Sequence, residues 1–315
     1  MKPTIIPLDA SSLKMAYCQR AYTYAIVRGL REKTPAEPLT KGKAIHLYAE
    51  LITRHPNDML SALSAAKKEW QKCDPDIKQL IAACGAMPNT LPKPYKWTGP
   101  DGSPREGIEL FFRVPWLGFT LAGVSYQIDV MGTIDLLSFD GTVVRIVDYK
   151  TSRKYKAEDI FRQYENDTQV AAFYPWVFKK FGHLFLPPEI VAAVKANRLT
   201  SQVCAVQISG LSPRWILAPP ASMSDEAAAD FEAELRSHIH TDIIPAWTVP
   251  DRAARNGWVS GQCGNCRYNT LCHASPEMTE VIINNVYEPG VYNPQNFGDT
   301  PKTITTNQIQ NATTN

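Results

Sequence analysis

Residues 129–156, DVMGTIDLLSFDGTVVRIVDYKTSRKYK, hold two apolar, β-branched segments separated by Asp140-Gly141. An Asp-Gly pair between such segments predicts a two-residue hairpin turn, because type I′ geometry needs positive φ at both central positions. With that turn, Phe139 pairs with Thr142, and Asp135 stands opposite Ile146. Side chains alternate faces along a strand. Ile146, Asp148 and Lys150 therefore share a face, and Asp135 shares it with them. The two aspartates become diagonal neighbours, roughly 7–8 Å apart between backbones. A four-residue loop preserves that parity, whereas a slip by one residue sends the aspartates to opposite faces.

Carboxylates set among Ile134, Leu136, Leu137, Val143, Val144, Ile146 and Val147 are costly to bury unless they are paired or bind a metal. Hard oxygen donors of this kind suit Mg²⁺ or Mn²⁺. Such an ion polarises a phosphoryl oxygen and lowers the pKa of a bound water. Lys150 is placed to orient that water or to balance charge growing on a phosphate. A plain Asp148–Lys150 surface ion pair fits the same residues.

Gly132-Thr133-Ile134-Asp135, followed by Val147-Asp148-Tyr149-Lys150-Thr151-Ser152, resembles the signature of PD-(D/E)XK nucleases in their RecB-like form, G-x-x-D and then D-Y-K-T. The resemblance implies that Asp135 and Asp148 are metal ligands, that Lys150 is the catalytic lysine, and that the peptide carbonyl of Tyr149 completes the metal shell. Gly42-x-x-x-His46, at the start of a helix, resembles the RecB-like motif whose histidine is a further metal ligand. Gln169 resembles the glutamine of the family's Q-x-x-x-Y motif, which positions the active site while the tyrosine approaches DNA. Here Phe173 stands four residues on and Tyr174 five. Five residues along an α-helix fall about 140° off the glutamine's face. Phe173 can stack on a base but cannot donate a hydrogen bond. Glu109 reads as an edge-strand charge, or else as one more acid in the site.

Cys263-x2-Cys266-x5-Cys272 sets three thiols within ten residues, a spacing for metal or cluster ligation. Cys18 and His273 are candidates for the fourth ligand. Spacing alone fits zinc as well as an iron–sulfur cluster. RecB-like nucleases of the AddB and Cas-four (CRISPR-associated) type carry one upstream cysteine and a C-x2-C-x5-C near the end, which together hold a 4Fe–4S cluster. By that resemblance Cys18, Cys263, Cys266 and Cys272 are its ligands, with structural Zn²⁺ as the alternative. Cys73, Cys84 and Cys204 have no place in the pattern and read as small buried hydrophobes.

The net charge of +2 gives no global case for a nucleic-acid partner. The case is local: Lys150, Arg153, Lys154 and Lys156 lie beside the carboxylates, and Arg153, Lys154 and Tyr174 are the candidate DNA contacts. The N-terminus lacks a signal-peptide core, no stretch matches a membrane span, and seven cysteines without a secretory signal argue for a reducing compartment, so the expected location is cytoplasmic. The expected fold class is α/β: a restriction-endonuclease-like core with a central mixed sheet flanked by helices, its terminal segments joined by the cluster. One nuclease domain is expected over 1–287. It comprises a helical part 11–87, a catalytic sheet with helices 106–240, a cluster-binding segment 255–275, and then a disordered tail 288–315. Within it, 11–31 is expected as one helix begun by serines, 88–105 as a long loop or lid, and 157–181 as a helix broken near 166–168 and kinked at Pro175. The implied activity is that of an Mg²⁺- or Mn²⁺-dependent DNA exonuclease on single-stranded ends, in recombination, repair or spacer acquisition. With no Walker A pattern in the chain, unwinding would need a helicase partner. The alternative is a non-catalytic DNA-end-binding protein on a nuclease-like scaffold.

Overall fold

The computed structural model describes residues 2–34, 36–88, 91–99, 102–153, 156, 158–160, 162, 167–208, 213–250, 253–254, 262–290 and 292. In chain order the elements begin with β1 (Thr4–Leu8), α1 (Ala10–Ala16), α2 (Gln19–Tyr22) with a π-helical turn Thr23–Val27, and β2 (Leu30–Glu32). Next come α3 (Glu37–Arg54), α4 (Met59–Trp70), α5 (Lys78–Gly85) and the small hairpin β3 (Lys96–Thr98) and β4 (Pro104–Glu106). The long strands β5 (Ile108–Leu121), β6 (Val124–Phe139) and β7 (Val144–Ser152) follow. A second π-helical turn, Thr168–Phe173, leads into α6 (Tyr174–Phe181), α7 (Pro188–Lys195), β8 (Leu199–Gln207), β9 (Arg214–Leu217) and α8 (Asp225–His238). The C-terminal part holds α9 (Ile244–Thr248), α10 (Asn269–Cys272), α11 (Pro276–Val286) and β10 (Tyr287–Pro289).

β6 is the spine of a mixed sheet. Along one edge it pairs antiparallel with β5, from Leu121↔Val124 to Ile108↔Leu136. Two strands share its other edge. β1 runs parallel to it from Thr4↔Tyr126 to Leu8↔Val130, and β7 pairs antiparallel from Leu136↔Val147 to Phe139↔Val144. Among the described residues, no strand pairs with 131–135 on that edge. β8 continues the sheet parallel to β7, and β9 closes it antiparallel to β8.

Helices cover both faces. On one, Ala49 of α3 packs with Leu136, Val147 and Tyr149, while Ala44, Ile45 and Tyr48 meet Trp70 of α4 and Leu80 of α5. On the other, Phe173, Val177, Phe178, Ile190 and Val194 pack with Leu137, Val144 and Ile146. The expected mixed sheet flanked by helices is thus present.

Local expectations needed correction at several points. The hairpin loop has four residues, 140–143, because Asp140 Oδ1 accepts from the N–H groups of Thr142 (2.9 Å) and Val143 (2.8 Å) and so wraps a wider turn. Parity survives, and the shifted register puts Asp148 directly opposite Asp135 rather than diagonal to it. The expected helix 11–31 is broken: Cys18 is extended (φ −125°, ψ 100°), and the cap of α1 is Asp9, with Ser12 completing a capping box. Pro175 stands at the start of α6, where the π turn passes into α winding. Phe173 is fully buried in the core and stacks on no base. The 88–105 segment contains the β3–β4 hairpin. The tail is ordered further than expected, since Tyr287–Pro289 pairs with β2 and Tyr292 donates to Asp9. Asn166 of the expected helix break, and 293–315 of the tail, lie outside the described residues.

Gly132 shows why a small residue opens the first motif. A Cβ there would lie 2.9 Å from Phe112 Cζ and 3.4 Å from Tyr174 Cε1. Gly132→Ala is expected to overpack this contact and cost about 1–3 kcal/mol, read as a lower urea midpoint with an unchanged m-value.

Candidate active site

The acids converge on the unpaired stretch of β6. Asp135 is its last residue, 8% exposed, and Asp148 faces it from β7 at 1%. Asp135 Oδ2 accepts from the Tyr149 N–H at 2.6 Å, so that N–H points across the gap toward β6. A strand residue directs its N–H and C=O to the same edge, so the Tyr149 carbonyl faces the gap as well.

Glu109 enters from the other side. The β5–β6 register shifts between Pro115 and Leu117, and beyond this bulge Ile108↔Leu136 and Leu110↔Ile134 bracket Glu109 opposite Asp135. Without the bulge, the pairing at the β5–β6 turn would carry Glu109 to Leu136, on the wrong face. Glu109 also has a positive φ of 49°, a costly conformation for a residue with a Cβ and one found where a side chain must be aimed. Glu109, Asp135 and Asp148 thus stand in a row across three neighbouring strands. Sequence reasoning favoured an edge-strand charge for Glu109. Pro115 inside a strand pattern was the available signal, since proline there marks an edge or a bulge.

α3 supplies the imidazole. Its approach to β7 is close at Gly42, where a Cβ would be 3.3 Å from Thr151 Oγ1, and His46 follows one turn later. His46 Nδ1 lies 3.5 Å from Asp135 Oδ2, and its ring meets the Tyr149 ring edge-on at 6.0 Å. Arg54 ties α3 to β5 by donating to the Ile108 carbonyl at 3.1 Å. One ligand atom from each of His46, Glu109 and Asp135 falls within 4.8 Å of the others.

Lys150 is held from two sides. Its Nζ lies 2.5 Å from Asp148 Oδ2 and donates to Gln169 Oε1 at 3.2 Å. Gln169 Nε2 donates to the Tyr174 hydroxyl (2.6 Å), which in turn donates to the Thr133 carbonyl of β6 (2.6 Å). The five-residue offset between Gln169 and Tyr174 is resolved by the π turn, in which the Tyr174 N–H bonds the Gln169 carbonyl. An i→i+5 bond brings these residues into line where an α-helix would not. Tyr174 is accordingly buried in the support of Lys150, and not displayed for DNA. Arg153 is exposed and paired with Glu37 at 3.0 Å, and Lys154 lies outside the described residues.

Burial pushes Asp148 up to about 6, with Asp135 adding to the rise and Lys150 opposing it. Burial likewise pushes Glu109 up to about 9, helped by Asp135 and Glu50 and opposed by Arg54. For Lys150 burial disfavours the charge, but Asp148 and Asp135 outweigh it and hold the ammonium protonated. Asp148 Oδ2 meets only the Lys150 ammonium, and Oδ1 accepts no hydrogen bond. Crowded acids, an imidazole within reach and under-satisfied carboxylate oxygens together fit a divalent cation.

The cysteines gather elsewhere. Cys18, Cys263, Cys266 and Cys272 line one pocket with Arg20, Tyr24 and Tyr268. Burial pushes the Cys266 thiol up, and the charges of the other three cysteines add to it. Cys18, and not His273, is therefore the residue that joins the C-terminal trio. No three of these sulfurs lie within 4.8 Å of one another among the described residues. The break at Cys18 is what turns its side chain out of the α1–α2 axis. Cys84 and Cys204 are buried as expected, whereas Cys73 is only partly buried.

Two outcomes follow for stability. The folded protein holds protons on Asp148 and Glu109 at pH values where the unfolded chain has released them. Under chelation its melting temperature should therefore fall as pH rises from about 5 to 9. Glu109→Gln should flatten that slope, and Mn²⁺ should restore stability at the alkaline end of wild type. A melting temperature that climbs with pH in chelator would contradict the electrostatics above.

A family model of the PD-(D/E)XK nuclease superfamily matches residues 11–273. No curated protein matches the sequence. Among solved structures, a crystal structure from Eubacterium rectale described as a "Putative exonuclease" is similar at 13% identity and a TM-score of 0.42, covering 87% of this chain and 91% of that one. The structure of SSO0001 is similar at 12% identity and a TM-score of 0.31, covering 87% and 88%. Both likenesses are too distant to bear on chemistry. The family match spans most of the chain and includes every acid, the lysine and all four clustered cysteines, and on that ground the chain belongs to the PD-(D/E)XK nuclease superfamily.

Proposed function

We propose that this protein is a divalent-metal-dependent deoxyribonuclease of the RecB-like, Cas-four-like kind, acting as an exonuclease on single-stranded DNA ends. The observation that carries the reading is the row Glu109–Asp135–Asp148 across β5, β6 and β7, with Lys150 directed into it. His46, Glu109 and Asp135 would hold Mg²⁺ or Mn²⁺, with Asp148 and the Tyr149 carbonyl as further oxygen donors. When bound, the ion supplies Lewis acidity toward a phosphoryl oxygen and acidifies a water. Lys150 keeps its proton and faces the charge that builds on the phosphate as water adds to phosphorus, releasing its proton to solvent, and the leaving ribose oxygen takes a proton from solvent as its bond to phosphorus breaks. Gln169 fixes where the ammonium points, and Tyr174 fixes Gln169. Arg153 and Lys154, just past β7, are positioned in sequence to meet DNA phosphates.

In this reading Cys18, Cys263, Cys266 and Cys272 bind a 4Fe–4S cluster. The support for a cluster over a single zinc is the resemblance of their spacing to the upstream cysteine and C-x2-C-x5-C of the Cas-four-like nucleases. The cluster's role is to clasp the ends of the domain. Cytoplasmic work in recombination, repair or spacer acquisition, with a helicase partner to expose single strands, suits such an activity. Among the described residues no helix is long and apolar enough to cross a membrane.

Digestion of single strands labelled at either end, beside a circular control, tests the reading. Asp148→Ala and Lys150→Ala should fold and lose cleavage by about 10²-fold or more. Cleavage that persists in either variant, or in chelator, would remove the site. Cys18→Ala should lose iron and thermal stability together, and full iron retention would refute the ligand set.

A further inference from the structure

α1 is anchored at both ends and touches the catalytic support in between. Its cap, Asp9, accepts from the Ser12 N–H and from the Tyr292 hydroxyl, both at 2.6 Å, and its C-terminus runs into Cys18. In its last turn Lys14 pairs with Asp167 Oδ2 at 2.9 Å across 153 residues of sequence. Asp167 Oδ1 caps the π turn, accepting from the N–H groups of Gln169 (2.9 Å) and Val170 (3.3 Å). Gln169 then accepts from Lys150. The path from α1 to the ammonium runs from Lys14 through Asp167 to the Gln169 backbone N–H, and from the Gln169 side-chain amide to Lys150.

We infer that Lys14 and Asp167 are positioning residues for Lys150: the Lys14–Asp167 pair fixes the capped π turn, and through Gln169 it sets where the lysine points. The inference rests on the reading of Asp148 and Lys150 as the reacting pair. Its consequence is that the segment carrying Cys18, and the C-terminal segment carrying Tyr292, act on the active site through one charged contact. Lys14 is nearly half exposed while Asp167 is 9% exposed, so the pair works by orientation more than by stability. A carboxylate with a single acceptor oxygen on the cap and the other on Lys14 has both its oxygens committed.

The test is steady-state cleavage of a single-stranded oligonucleotide by the full chain. Lys14→Met is expected to lower kcat about tenfold, short of the ~10²-fold that a 1 Å misplacement can cost. KM should stay within about twofold, as for an interaction made only in the transition state, and the melting temperature should change little. Lys14→Arg should restore kcat. Asp167→Asn keeps a capping oxygen but drops the charge, so it should match Lys14→Met, and the double variant should be no worse than either single one. Wild-type kcat in Lys14→Met, a loss that Lys14→Arg does not recover, or additive losses in the double variant would overturn the inference. A second readout stands if the wild type cleaves no DNA and the functional reading itself falls. Acetylation of Lys150, followed by mass spectrometry at fixed pH, should run several-fold faster in Lys14→Met and Asp167→Asn. Equal rates would overturn the positioning role independently of cleavage.

Discussion

The active site depends on a single mismatch in a hydrogen-bond ladder: β6 has three strand neighbours and only two edges. β5 takes one edge, and β1 and β7 divide the other, leaving 131–135 without a strand partner there among the described residues. Backbone groups in such a gap must find other partners or pay for desolvation. The Tyr149 N–H, which faces the gap from β7, finds the Asp135 carboxylate. The same gap lets carboxylates from adjacent strands meet where ladder bonds would otherwise run. Burying them is tolerable because each has a cation, an imidazole or a proton near at hand, and because a divalent ion would neutralise the surplus.

The geometry on either side of the gap keeps the acids apart in role. Asp148 is engaged by Lys150, whereas Asp135 and Glu109 are grouped with His46. The hairpin alone suggested a two-aspartate grip, and the structure sets a third acid, from β5, near them. The strained backbone at Glu109 and the bulge at Pro115/Leu117 are two local departures from regular strand geometry, and both serve to aim that one side chain.

How far the sequence revealed this varied with the kind of periodicity involved. The shared face of Asp135, Asp148 and Lys150 was legible because strand parity has a period of two, and it survived a turn of the wrong length. Glu109 was obscured because a bulge adds one residue and so inverts parity beyond it. Tyr174 was misplaced because α-helical periodicity was applied to a π turn, which a sequence pattern does not announce. The long helix expected over 11–31 failed for a related reason. Its apolar spacing runs through Cys18, but the backbone there steps out to deliver the thiol. β1 gave too short a signal, five residues with a proline, and owes its strand to pairing with β6.

The terminal segments are joined by a small sheet and by aromatic packing. β10 pairs with β2, Tyr268 donates to the Leu30 carbonyl at 2.7 Å, and the Tyr24, Tyr268 and Tyr287 rings pack in succession. The central claim, however, concerns the three acids. Anomalous diffraction from crystals grown with Mn²⁺ tests it most directly. The account requires a manganese peak bounded by His46, Glu109 and Asp135, at about 2.0–2.3 Å from their donor atoms. Manganese bound elsewhere, with Glu109 turned away from Asp135, would contradict it.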